Sequence, residues 1–142
     1  MSYEQTLTVR FEDVDFARVV FFPKLFGYCH NVFEDFFKNG VGVPYAKMIQ
    51  ERKFGFPAVS ARSDFRAPFH FGDPCRVVMD TLSLGKSSIT CRYRLYQGDS
   101  EKLGAELEIT TVCVAMDTFK PAPIPEDVRE AFLNHLVNYQ SA

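Results

Sequence analysis

The sequence contains no tryptophan, no run of basic residues and no closely spaced pair of cysteines. Without a block of Lys or Arg, and at a formal net charge of −2, the chain offers no footprint for nucleic acid. An anionic ligand must instead be met by local cations. The four cysteines, Cys29, Cys75, Cys91 and Cys113, are spread too widely for a CxxC or zinc pattern. The histidines, His30, His70 and His135, form no ligand pair at helical spacing. Free buried thiols in a reducing cytoplasm are therefore expected, with no metal and no redox cofactor. No segment reaches the ~18 apolar residues that a membrane helix needs. The N-terminal MSYEQTLTVR lacks the apolar stretch of a signal peptide.

What the chain does have is apolar and aromatic mass. Its 142 residues suit a single domain, 1–142, and 46% are hydrophobic, with 15 Phe. That much apolar content excludes disorder and provides for a real core or an apolar groove. Leu7, Val9 and Phe11 alternate with Thr6, Thr8, Arg10 and Glu12, the period of a half-buried strand. From Pro23 to Lys38 the period becomes helical. Leu25, Phe26, Cys29, Val32, Phe33, Phe36 and Phe37 share one face, and Asn39-Gly40 supplies a left-handed stop. Pro23 suits the first helical turn, where its missing N–H costs nothing. Pro44 to Gln50 reads as a short helix.

Beyond Phe54 the chain reads mostly as strand. Ala58 to Arg66 alternates moderately, Arg76 to Leu84 leans β, and Ile89, Cys91, Tyr93 and Leu95 alternate with polar residues. Gly98-Asp99 signals a hairpin, and Ala105 to Cys113 is the longest strand candidate. KPAPIP breaks the chain at Lys120–Pro125, and Glu126 to Tyr139 has a helical apolar face of Val128, Phe132, Leu136 and Tyr139. One strand, a long Phe-rich helix and then consecutive strands make an α+β fold, an antiparallel sheet wrapped on one helix.

The chemistry concentrates in FEDVDFARVVFFP, Phe11 to Pro23. Asp13 and Asp15 follow the first strand, where acids ordinarily solvate turns. Here an apolar run, Val19-Val20-Phe21-Phe22, follows, and Pro23 then starts the helix. A helix start exposes free N–H groups at a positive dipole end. One short stretch thus holds a carboxylate able to attack or activate water and N–H donors able to polarise a carbonyl.

This stretch, D-x-D followed by VVFFP and a long helix, resembles the hotdog-fold acyl-CoA thioesterases, in particular the 4-hydroxybenzoyl-CoA thioesterase type. FGFPAVSARSDFRAPFHFGDPCRV is similar to the same family, and KPAPIP resembles the dihydroxynaphthoyl-CoA thioesterases. The resemblance implies a hotdog fold, with a five- or six-stranded antiparallel sheet around the Phe33-bearing helix. It implies hydrolysis of an acyl-CoA thioester by a homodimer, doubled to a homotetramer, with active sites between subunits. Asp15 takes the catalytic position, as nucleophile or general base. Phe22 takes the position whose backbone N–H polarises the thioester carbonyl, and Asp13 an acidic position that does not attack. The family His found near Phe22 in some relatives is absent here.

Val20 and Phe21 are expected to line the acyl pocket. Arg18 departs from the family Gly. It is either a loop cation paired with Glu12 or Asp13, or a contact for a polar acyl group or for Asp15. Lys86, Ser87 and Ser88 form either an ordinary turn or a grip on the CoA phosphates, with Arg62, Arg66 and Arg76 as other phosphate candidates. His30 reads as a boundary residue of the helix, and Glu34 as a minor candidate for assistance. A non-catalytic acyl-CoA-binding hotdog protein is the alternative; a hydratase would need a downstream His that the chain lacks at that spacing.

Overall fold

A computed structural model describes residues 2–137. Five strands form one antiparallel sheet: β1 (Tyr3–Thr8), β3 (Ala58–Phe65), β4 (Pro74–Leu84), β5 (Ser88–Gln97) and β6 (Leu103–Val112), in the order β1-β4-β5-β6-β3. The long helix α1 (Pro23–Phe36) lies in the curl of this sheet. A short helix α2 (Tyr45–Gln50), a two-stranded ribbon of β2 (Phe54–Gly55) with β7 (Val114–Ala115), and a last helix α3 (Glu126–Leu133) complete the described chain. The α+β class and the five-stranded sheet agree with the sequence reading. Among the described residues, no helix is long and apolar enough to cross a membrane.

The α1 face predicted from helical spacing is the face that is buried. Leu25, Cys29, Val32, Phe33 and Phe36 meet Cys91, Tyr93, Leu95 and Leu107 of the sheet in one core. Phe36 is fully buried, with Phe132 at 4.7 Å, His135 at 5.0 Å and Tyr3 at 5.1 Å between ring centroids. Burying a Phe side chain contributes about 1.5–3 kcal/mol, so this aromatic stack is a main source of stability.

Four expectations shift. Phe11 leaves the strand and is largely exposed, because the chain turns after Val9 into a 3-10 turn, Phe11–Asp13. The helix does not stop at Asn39-Gly40: a wider π-type turn, Phe37–Val41, carries it on to Gly42, whose φ of 89° makes the left-handed exit. A Cβ at Gly40 would run into the Phe36 ring, so this glycine lets the turn close over its own core residue. The last helix ends at Leu133; Leu136 bridges to Thr81 of β4 instead, and Tyr139 lies outside the described residues. Finally, β3 is exposed along its whole length, with one edge paired to β6 and the other open.

The outer sheet face is ionic. Arg62, Glu108, Arg92 and Asp80 stand side by side across β3, β6, β5 and β4. Asp80 is fully buried and accepts from Arg92 at 2.9 Å, from Arg94 at 3.0 Å and from the Ser2 hydroxyl. Burial by itself would raise the Asp80 carboxyl. The hydrogen bonds from Ser2 and Arg92 and the charges of Arg94 and Arg92 together outweigh it and hold the group below its usual range. A depressed folded pKa stabilises the fold above the unfolded Asp value of about 3.9, and that contribution is lost as pH falls through the folded value. Asp80→Asn is therefore expected to lower stability at pH 7, with the gap to the parent narrowing below about pH 4. Urea titrations at the two pH values check this.

Candidate active site

The DVDFARVVFF stretch folds as a tight hairpin. Val14 pairs with Val20, the Asp15 N–H donates to Val19 O at 3.0 Å, and the Arg18 N–H donates to Asp15 O at 2.9 Å. The loop is Phe16-Ala17-Arg18, and three-residue hairpin loops of this kind place their third residue in the left-handed region. Arg18 accordingly has φ 67°. The Asp15 Oδ1 accepts the Ala17 N–H at 2.8 Å, an Asx turn that orients the carboxylate. Its Oδ2 makes no hydrogen bond among the described residues, and the side chain faces solvent. The hairpin is fastened from both sides: Val20 N–H donates to Phe69 O at 2.8 Å, and Phe21 N–H to Asp13 O at 2.9 Å.

The chain then enters α1. Phe22 is its N-cap, in helical geometry (φ −51°, ψ −34°), and Pro23 follows inside the first turn. The Phe22 N–H donates to none of the described residues, as a helix start leaves it. Beside it opens a cavity of about 290 Å³ lined by Val20, Phe22, Leu25, Phe65, Pro68 and Phe69, with Arg66 at its edge. A second, larger cavity of about 510 Å³ lies further along the helix between α1 and the sheet. Phe26, Phe33, Tyr45, Phe56 and Tyr93 wall it, and the unpartnered hydroxyl of Thr111 faces buried surroundings beside it. Phe22, Phe26 and His30 recur every fourth residue, so one stripe of α1 serves both cavities.

Asp15 and Arg18 thus lie on the hairpin, and Val20 and Phe22 on its return into the helix; of these four, Val20 and Phe22 line the cavity. Phe21 is half-exposed and lines neither cavity; it packs on the Phe22 ring at 5.6 Å. Arg18 is exposed and pairs with neither Glu12 nor Asp13. Lys86, Ser87 and Ser88 lie elsewhere. The hairpin sits against the residues that lead into β4, whereas Lys86 follows the far end of that 11-residue strand, about 30 Å away at ~3.3 Å per residue. The turn is held there by Arg129, which donates to Gly85 O at 2.6 Å and Lys86 O at 3.1 Å. Of the other phosphate candidates, Arg62 is paired with Glu108, and Arg76 is committed to Gly98 O, Glu4 and the Tyr96 ring. Arg66 borders the cavity beside Phe22, and it also pairs with Asp64.

Sequence reasoning gave no site role to the Phe65–Phe69 wall or to Phe56, although all lie in the family-like stretch from Phe54 to Val77. It missed the Tyr93 and Thr111 surfaces, which are distant in sequence from the hairpin. It also took His30 as a plain boundary residue, yet His30 stands at the mouth of the larger cavity, 3.9 Å from Glu34.

Residues 9–132 match the pattern of the thioesterase-like superfamily. The chain belongs to that superfamily. A 1,4-dihydroxy-2-naphthoyl-CoA hydrolase of Synechocystis sp. is 30% identical over 125 residues, 88% of each chain. The crystal structure of a 1,4-dihydroxy-2-naphthoyl-CoA thioesterase from Synechocystis superposes with a TM-score of 0.86 at 28% identity, covering 94% of this chain and 97% of that one. A gentisyl-coenzyme A thioesterase superposes with a TM-score of 0.80 at 25% identity, covering 89% and 99%. The hotdog fold and the reaction class expected from the sequence, hydrolysis of an acyl-CoA thioester, are both borne out.

Within this thioesterase the Arg18 conformation has a cost. A left-handed non-glycine residue loses about 1–2 kcal/mol, while glycine loses about 0.5–1 kcal/mol of chain entropy on folding. Arg18→Gly is thus expected to stabilise the fold by up to about 1 kcal/mol, measured by chemical denaturation.

Proposed function

We propose that this thioesterase hydrolyses an aromatic acyl-CoA ester, with Asp15 as the catalytic carboxylate and the Phe22 N–H as oxyanion donor. The observation that carries the reading is the pairing of an uncommitted carboxylate oxygen on a fastened hairpin with a free N–H at the helix start, beside an aromatic cavity. The thioester carbonyl points its oxygen at the Phe22 N–H. Asp15 either attacks the carbonyl carbon, giving a mixed anhydride that water then cleaves to the free acid, or takes a proton from the attacking water and passes it to the departing thiolate or to solvent. Negative charge gathers on the carbonyl oxygen, where the N–H and the helix dipole stabilise it, and CoA leaves as thiolate. Flat apolar walls from Val20, Phe22, Phe65 and Phe69 suit an aryl group, and the relatives named for dihydroxynaphthoyl-CoA and gentisyl-CoA support that choice. Phe21 and Arg18 flank the entrance, Arg18 as the contact for a polar acyl substituent.

The same reading includes a homodimer, doubled to a homotetramer. An open edge strand exposed on both faces, with Val59 and Phe65 uncovered, is a template for pairing with a second copy. Antiparallel pairing of two β3 edges would reverse one sheet against the other. The Lys86–Ser88 turn of the partner would then approach the Asp15 end of its neighbour, which supports a CoA-phosphate role for that turn across the interface. Four free, buried cysteines fit a cytoplasmic setting.

Asp15→Asn is expected to lower kcat on aryl-CoA esters by about 10²–10⁴-fold, the range for loss of a positioned base or nucleophile. A free-thiol assay over a panel of aryl- and alkyl-CoA esters measures this, and near-parental turnover would exclude the role. Light scattering after size exclusion is expected to give two or four times the 16.2 kDa chain; a lone monomer would exclude the shared site.

A further inference from the structure

Asp13 was expected to be a supporting acid at most, yet it is more deeply buried than Asp15 and better connected. Only 7% of it is exposed, and no cation among the described residues forms an ion pair with it. Its carboxylate Oδ2 accepts the Tyr28 hydroxyl at 2.5 Å and the Arg10 N–H at 3.0 Å. Its backbone N–H donates to Arg10 O at 3.0 Å, and its carbonyl accepts the Phe21 N–H at 2.9 Å. Tyr28, also 7% exposed, stands on the second turn of α1, one residue from the core position Cys29. Asp13 therefore ties three things together: the turn after β1, the hairpin stem one residue before Phe22, and the body of α1.

That junction sets the geometry of the proposed chemistry. Asp15 belongs to the hairpin and the Phe22 N–H belongs to the helix. A carboxylate and an oxyanion donor carried on different elements act together only if those elements keep one relative position. Main-chain bonds fasten the hairpin to itself and to Phe69, but the Asp13–Tyr28 bond is a side-chain link from its stem to the interior of α1. A buried carboxylate without a cation is costly unless hydrogen bonds satisfy it, so the pair has one favourable arrangement rather than several. Burial first, and then the bond to Asp13 and its charge, push the Tyr28 phenol well above its usual range. The hydroxyl thus stays protonated and remains a donor throughout the neutral range.

We infer that the Asp13–Tyr28 pair is a positioning device that holds the Asp15 hairpin in register with the α1 start, acting on the rate through Asp15 rather than on the substrate directly. The inference rests on the assignment of Asp15 made above. Tyr28→Phe keeps the ring and its packing and removes only the hydroxyl. It is expected to lower kcat on an aryl-CoA ester by about 10- to 100-fold, as misplacement on the ångström scale does, with KM within about twofold of the parent. Asp13→Asn keeps the volume and a carbonyl acceptor and is expected to retain kcat within about threefold, whereas Asp13→Ala behaves like Tyr28→Phe.

The deciding measurement is a double-mutant cycle. If the pair acts through Asp15, Tyr28→Phe has almost no further effect in an Asp15→Asn background. Hydrogen exchange supplies a second readout: the Asp15 and Phe21 amides should exchange faster in Tyr28→Phe and Asp13→Ala while β4 and β5 amides stay protected. Parental kcat in Tyr28→Phe, full multiplication with Asp15→Asn, or uniform loss of protection across the sheet would each overturn the positioning role. An inactive Asp15→Asn beside a parental Tyr28→Phe removes the positioning role alone. An active Asp15→Asn removes the assignment of Asp15 and the positioning role with it.

Discussion

The structure depends on covering the aromatic face of α1. Phe33, Phe36 and Phe37 on one stripe of helix and turn need a large apolar surface, and a single curled antiparallel sheet provides most of it. Phe132 from α3, Phe56 after β2 and Tyr45 from α2 close the remaining sides, with ring centroids 4.7–6.4 Å apart. Such a core is directional as well as apolar, because edge-to-face and tilted rings fit only in particular arrangements. It fixes where α1 begins, and so fixes the one free N–H that the proposed chemistry uses.

The site itself is built almost wholly from main chain. The hairpin that carries Asp15 is held by backbone bonds and by an Asx turn, and the proposed oxyanion donor is a backbone N–H. Apart from the apolar cavity walls, the proposed chemistry asks for particular side chains at few points: the carboxylate at Asp15, the proline that starts the helix, and the buried Asp13–Tyr28 pair below the hairpin. On that reading phenylalanine at position 22 is compatible with the proposed chemistry, which uses its N–H. The main-chain build also explains how arginine can occupy the left-handed position 18, since the hairpin demands a conformation there and glycine meets that demand most cheaply but not alone.

Charge is used sparingly and locally. Asp80 is buried but answered by two arginines and a hydroxyl. Around the hairpin end of the sheet the cations Arg18 and Arg66 are exposed, and the open β3 edge runs toward them. A chain of nearly balanced charge can therefore present an anionic CoA ester with local cations, although its overall field is slightly repulsive.

The sequence by itself determined most of the elements and pointed to the stretch proposed to react. Alternation placed Cys91, Tyr93 and Leu95 on one sheet face, helical spacing placed Phe33 and Phe36 on one helix face, and the D-x-D and VVFFP order named Asp15 and Phe22. All of these are local signals, carried by residues within a few positions of one another. Where the local signal was ambiguous, only tertiary structure decided. It moved the helix stop from Asn39-Gly40 to Gly42, because the buried Phe36 ring occupies the space under Gly40. It ended α3 at Leu133, because Leu136 finds a backbone partner in β4. It separated Lys86 from Asp15 by the length of a strand, and it joined Asp13 to Tyr28 across 15 residues of chain. Distances of that kind depend on how strands pair and which way they run, and no periodicity within a single segment encodes them.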